Sequence, residues 1–156
     1  MVTRRRLGSG AADTGGPSAF QNVVLVVEDD PRLRAEMRDA LEAAGFWVEV
    51  AVDFHRAVEL LEARVVDAVC VDTTLPRESG FELCEWVRRS AAHARVPIVV
   101  TSDRATPEDM ALAEEAGGNA FLKKPFDGAR LVKYVEAVLE GPISGRKSVR
   151  SLSRLV

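Results

Sequence analysis

The sequence predicts an α/β fold, with a parallel five-stranded sheet covered by helices on both faces. Three observations predict it. Short apolar runs rich in Val recur along the chain, as in strands buried on both faces. Segments with apolar residues at helical spacing separate them. Polar residues follow most of these runs at once, at the strand ends where open α/β sheets bind ligands.

The first run is Val23-Val24-Leu25-Val26-Val27, which stops at Glu28-Asp29-Asp30-Pro31. From Pro31 to Ala44 the apolar residues Leu33, Met37, Ala40, Leu41 and Ala44 fall at helical spacing. Pro31 suits a first turn and Gly45 a stop. Phe46 to Val52 reads as a strand, with Val48 and Val50 inward and Glu49 and Trp47 outward. Ala57, Val58, Leu60, Leu61 and Val65 mark a second helix, and Val66 to Val71 a third strand ending on Asp72. Phe81 to Arg89 is a helix, with Trp86 off its buried phase. Pro97 to Val100 is a strand ending on Thr101. Pro107 to Ala116 is a helix closed by Gly117-Gly118. Ala120 to Lys123 is a short strand before Lys124-Pro125, and Leu131 to Leu139 is the last helix. Five strands alternating with five helices imply right-handed crossovers and one parallel sheet.

Composition bounds the class. The 156 residues are 47% hydrophobic and 29% charged, which suits one globular domain with tails. No apolar run reaches the roughly 18 residues of a membrane helix, and no apolar stretch follows the basic start, so a cytoplasmic location is expected. Cys70 and Cys84 lie in apolar segments and read as small buried hydrophobes. His55 and His93 have no ligand-spaced partner and read as surface residues. The net charge of −3 divides unevenly. Residues 1–20 carry Arg4, Arg5 and Arg6 against Asp13, and residues 141–156 carry Arg146, Lys147, Arg150 and Arg154 without an acid. The body between them holds −9, unlike a nucleic-acid-binding core. The expected organisation is a disordered basic tail over 1–20, one domain over 21–140, and a short basic tail over 141–156.

The strand ends carry the chemistry. Strand one delivers Glu28, Asp29 and Asp30, strand three Asp72, strand four Thr101 and strand five Lys124. Carboxylates gathered this closely repel one another unless a cation sits among them. Hard oxygen ligands at this density suit Mg²⁺. A metal neutralises charge on an incoming phosphoryl group and lets a carboxylate act as nucleophile. Lys124 supplies a point charge for phosphoryl oxygens and Thr101 a hydroxyl donor. Asp30 reads as the acid that starts the following helix.

These segments resemble the receiver domain of bacterial two-component response regulators. They are Val-Val-Glu-Asp-Asp-Pro (26–31), Val-Asp-Thr-Thr-Leu-Pro (71–76) with Gly80, Val-Thr-Ser (100–102) and Phe-Leu-Lys-Lys-Pro-Phe (121–126). The resemblance implies a flavodoxin-like, CheY-like (βα)5 fold, and it implies roles. Asp72 matches the phosphoacceptor for a histidine kinase or phosphotransfer protein. Asp29 matches a direct Mg²⁺ ligand, Glu28 a ligand through water, and Thr74 a backbone-carbonyl ligand. Thr101 matches the switch hydroxyl, Lys124 the lysine that pairs with the aspartate or its phosphate, and Phe121 the switch aromatic. Lys124-Pro125 matches a peptide bond often cis in the family. The face made by helix four, strand five and helix five would change on phosphorylation and meet a downstream protein. A homodimer through helices four and five is a family expectation.

Several residues depart from the commonest pattern. Ser102 stands where the family most often has Ala or Gly, and Phe54-His55 replace the usual Gly-acid before helix two. The resemblance implies that Thr74 and Asp103 flank the path of the attacking water and so influence how long the phosphate lasts. The sixteen residues from Gly141 onward have no room for a helix-turn-helix or an enzyme. The expectation is therefore a stand-alone or truncated receiver with no DNA-binding domain on this chain, and a phosphoacceptor rather than an enzyme. A haloacid-dehalogenase phosphatase would want a second aspartate at position 74, which is Thr. A nucleotide-binding module would want a Gly-rich first turn. The alternative kept is a pseudo-receiver, an interaction module that is never phosphorylated.

Overall fold

A computed structural model describes residues 15–141. Of the basic tails expected over 1–20 and 141–156, residues 1–14 and 142–156 lie outside the described residues; residues 15–20 are described, and Ser18 and Gln21 bond to each other ahead of β1. The element order is β1 (Val23–Val27), α1 (Pro31–Ala43), β2 (Trp47–Ala51), α2 (Phe54–Ala63), β3 (Ala68–Asp72), α3 (Gly80–Arg89), β4 (Ile98–Ser102), α4 (Pro107–Ala116), β5 (Ala120–Lys123) and α5 (Gly128–Leu139). All five strands are parallel, in the order β2-β1-β3-β4-β5. This is the doubly wound, flavodoxin-like arrangement predicted.

The chain reverses its winding direction between β1 and β3, so the carboxyl ends of β1, β3, β4 and β5 open onto one edge. Two cores flank the sheet. On one face Val23, Leu25, Val27, Val69, Val71, Ile98 and Val100 pack with α2, α3 and α4. On the other, Val24, Val26, Cys70, Val99 and Leu122 pack with α1 and α5. Alternate residues of each strand feed opposite cores, which is why the central strands read as continuous apolar runs.

The helices follow from the same logic. Met37 and Leu41 of α1 lie four apart and are buried. Burial of side chains this size contributes about 1.5–3 kcal/mol each. Asp30 caps α1 by accepting from the Arg32 N–H at 3.0 Å, the helix-starting role read from sequence. Gly117 ends α4 at φ 109°, and Arg88 of α3 donates to its carbonyl through Nη2 at 2.7 Å. The same guanidinium reaches the Val96 carbonyl at 2.6 Å and Asn119 Oδ1 at 2.8 Å, tying α3 to the start of β4 and the end of α4. Gly128 lets α5 approach α1, since a Cβ there would lie 2.7 Å from that of Ala40.

Four details differ from the sequence reading. His93 is buried, not at the surface: its ring stacks on Trp86 and its Nδ1 lies 2.9 Å from Ser90 Oγ. Val65 falls beyond the end of α2 and is 80% exposed. Trp47 and Glu49 are half-buried on β2, because both faces of even this edge strand are covered; Trp47 Nε1 donates to Glu49 Oε2 at 2.7 Å. The second, third and fifth helices start earlier than their apolar residues suggested, at caps Asp53, Ser79 and Asp127. Cys70 and Cys84 are buried as read, and burial pushes both thiols up to about 12. No helix among the described residues is long and apolar enough to cross a membrane.

Candidate functional site

The acidic turn after β1 is set by its own side chains. Glu28 is 1% exposed. Its Oε2 accepts from the Asp30 N–H at 3.1 Å. Arg34, one turn into α1, donates to the carbonyls of Glu28 at 3.0 Å and Asp29 at 3.3 Å. That guanidinium fastens the backbone carrying the acids, and nothing in the apolar pattern marked it. Asp29 is exposed beside the two buried acids.

Asp72 ends β3, one residue past the Val27–Val71 pair on one side and in register with Thr101 on the other. Its Oδ1 accepts from the Thr74 N–H at 3.1 Å. Its Oδ2 meets Lys124 Nζ at 2.7 Å, and the same ammonium meets Glu28 Oε1 at 3.0 Å. The link from Lys124 to Glu28 was not read from the sequence. Lys124 follows β5, and the Lys124-Pro125 bond is cis, as the resemblance implied.

The electrostatics follow from crowding. Burial pushes the Glu28 carboxyl up to about 7; the Asp30 N–H and Lys124 oppose this, and the Asp72 charge adds to it. Burial alone would lower Lys124, but its bonds to Asp72 and Glu28 outweigh that and raise it. Glu28, Asp29 and Asp72 each present a carboxylate oxygen, all within 4.8 Å of one another. Two buried acids and one exposed acid, served by one ammonium, leave negative charge uncompensated. That donor set fits a small hard dication with room for water on the Asp29 side.

Thr101 is fully buried, and its Oγ1 has no hydrogen-bond partner. A buried hydroxyl without a partner is costly in this state, and a state that gives it a partner recovers that cost. Phe121 is buried in the core on the α2–α4 face, and its register partner is Val100, just before Thr101. The structure thus brings Glu28, Asp29, Asp72, Thr101 and Lys124 to one edge. The Thr74 N–H reaches Asp72, while Phe121 lies in the core with Val100, its register partner.

Comparison with known proteins identifies the family. The profile of the response regulator receiver domain matches residues 24–136. The transcriptional regulatory protein CseB of Streptomyces avermitilis is 39% identical over 132 residues, 83% of this chain and 55% of that protein. The transcriptional regulatory protein CpxR of Escherichia coli is 30% identical over 118 residues, 76% of this chain and 49% of that protein. The chemotaxis response regulator CheY4 of Vibrio cholerae matches with a TM-score of 0.73 at 28% identity, covering 76% of this chain and 98% of that one. The chain spans about half the length of the two regulators named first. Matched over most of its length, and carrying its acids, hydroxyl and lysine on one sheet edge, the chain belongs to the receiver domain family of two-component response regulators.

Proposed function

We propose that Asp72 accepts a phosphoryl group from a phosphohistidine on a histidine kinase or phosphotransfer protein. The observation that carries this reading is the convergence of Glu28 and Asp72 on the single ammonium of Lys124, at 3.0 and 2.7 Å, with Asp29 beside them. An Asp72 oxygen attacks phosphorus, the P–N bond breaks, and the imidazole departs carrying a proton from solvent. Asp29, Asp72 and the Thr74 carbonyl, with Glu28 through water, would hold Mg²⁺, which would supply charge neutralisation for that transfer.

The chain's own residues then respond. Lys124 follows the new phosphoryl oxygens, and the unpartnered Thr101 hydroxyl donates to one of them. Movement of Thr101 opens space toward Phe121 and alters the face formed by α4, β5 and α5. A partner that prefers the altered face is recruited in proportion to its differential affinity. A second copy of the chain meeting α4 and α5 is one such partner. Control of transcription, named for the two full-length relatives, is the output proposed for a protein containing this domain. The cytoplasm is its proposed location.

The deciding experiment incubates the protein with Mg²⁺ and a small-molecule phosphodonor and maps any adduct by mass spectrometry. An acyl phosphate on Asp72 is expected. Its absence would favour the pseudo-receiver, whose interactions need no phosphate.

Two predictions concern the metal. Asp29→Asn removes an exposed ligand charge without touching the buried Lys124 pairings, so Mg²⁺ affinity should fall at least about tenfold with the fold unchanged. Unaltered affinity in a titration followed by calorimetry would show the ion, if bound, to be elsewhere. The second concerns pH. Glu28 holds its proton up to about 7 when folded, against 4.5 ordinarily. Its contribution to the stability of the metal-free protein is therefore greatest at low pH and is lost as pH rises through about 7. Mg²⁺ competes with that proton. The rise in melting temperature on adding Mg²⁺ should grow from about pH 6 to about pH 8; a rise that shrinks over this range contradicts the assignment.

A further inference from the structure

Beyond the phosphoacceptor set, two hydroxyls meet at the same edge. Thr73 follows Asp72, Ser102 follows Thr101, and Thr73 Oγ1 lies 3.1 Å from Ser102 Oγ. Ser102 is 4% exposed. Its Oγ also accepts from the Arg104 N–H at 3.1 Å, which starts the loop between β4 and α4. That loop is fixed at its far end too: Arg104 Nε lies 3.3 Å from Asp109 Oδ2, and Thr106 donates to the same carboxylate at 2.7 Å while capping α4. A continuous set of bonds therefore runs from the residue after Asp72 to the first turn of α4.

The state to which these bonds belong can be read from Thr101. Asp72 and Thr101 are register partners, and the Thr73 N–H donates to the Thr101 carbonyl at 2.9 Å. The Thr73–Ser102 hydroxyl pair lies just past Asp72–Thr101, the last register pair of β3 and β4. In this arrangement the Thr101 hydroxyl is buried without a partner. In the phosphorylated state proposed above, Thr101 is drawn toward Asp72, and a shift of the end of β4 that accompanies this carries Ser102, its chain neighbour, with it.

We propose that the Thr73–Ser102 hydroxyl pair is a restraint on this switch: it holds the β4–α4 loop in the arrangement in which Thr101 is unengaged, and so disfavours phosphoryl uptake. Thr73 and Ser102 are positioning residues, acting through the loop and Thr101. The inference rests on the phosphoacceptor reading and adds to it a device that sets its threshold. Removing the bond removes stabilisation from only one of the two states, so the equilibrium moves toward the other.

The test uses the full chain with Mg²⁺ and beryllium fluoride as the phosphoryl mimic. Thr73→Val keeps volume but deletes one hydroxyl; Ser102→Ala deletes the other. Each should tighten beryllofluoride binding by roughly two- to tenfold, the worth of one net hydrogen bond. The double variant should gain no more than either single one. Thr73→Ser, which restores the hydroxyl, should bind as wild type does. In the metal-free protein, Ser102→Ala should also speed hydrogen exchange at the Arg104 amide. Tightening by Ser102→Ala with Thr73→Val unchanged would show that only space near Asp72 matters, and would overturn the proposal. Weaker binding by both would overturn it with the opposite sign. If wild type itself takes no beryllofluoride, the phosphoacceptor reading fails; if wild type binds and both variants match it, only the restraint fails.

Discussion

Asp72→Asn is expected to take up no phosphoryl group under conditions that label the wild-type protein. The amide nitrogen is not nucleophilic, while the side chain keeps its shape and an oxygen to accept the Thr74 N–H now bound at 3.1 Å. Two effects compete in the stability of the metal-free variant. Lys124 loses its shorter contact, the 2.7 Å pair with Asp72. Against this, above about pH 7, where Glu28 is ionised, the pocket loses one of two buried like charges, and the Asp72 charge is part of what pushes Glu28 up. One ammonium then faces one buried carboxylate, at 3.0 Å. A matched pair of this kind is less costly to bury than a surplus charge, so the second effect wins. Above about pH 7 the melting temperature of the metal-free variant should equal or exceed that of wild type, with labelling at background. Lost labelling accompanied by a clearly lower melting temperature would mean that the pocket had collapsed, and would leave Asp72 unproven as the acceptor.

The strands and the convergence at their ends were legible because burial on both faces leaves a plain mark. Val23–Val27 and Ala68–Asp72 are buried at every position, so each reads as an unbroken run with a sudden polar end. Topology then does the rest, since a doubly wound parallel sheet gathers those ends on one edge. Helix starts were less legible. First turns are polar and exposed, so apolar spacing finds Ala57 and Leu131 but not the caps Asp53 and Asp127 that begin those helices. Side-chain-to-backbone contacts left no periodic signal at all. Arg34 on the Glu28 carbonyl and Arg88 on the Gly117 carbonyl look in the sequence like any solvated arginines on a helix. The burial of His93 leaves no mark in the sequence for a related reason. Its burial comes from the Trp86 ring and from the turn after α3, neither of which its immediate neighbours announce.

Gly80→Ala is expected to damage stability and phosphoryl uptake together. Gly80 is the first residue of α3, and its N–H donates to the Thr73 carbonyl at 3.0 Å. A Cβ there would collide with the Asp72 carbonyl oxygen and come within 2.8 Å of the Asp72 carbonyl carbon. These neighbours are backbone and cannot rotate away. Either α3 retreats, loosening Leu83, Cys84 and Val87 from the core, or the turn moves and carries Asp72 with it. Alanine's better helix propensity returns only about 1 kcal/mol at most, and less in a first turn. Overpacking of this kind costs about 1–3 kcal/mol even where side chains can give way, so a net loss is expected. Each kcal/mol should lower the melting temperature by about 3–6 °C in a domain of this size. Ser79→Ala is the comparison that isolates the site. It breaks the capping box with Glu82 and costs about 1 kcal/mol, but adds nothing against Asp72. Its labelling rate should stay at the wild-type level, whereas that of Gly80→Ala should fall. Wild-type labelling in Gly80→Ala, with an unshifted denaturation midpoint, would show that the close approach of α3 to the Asp72 carbonyl is not what places the acceptor.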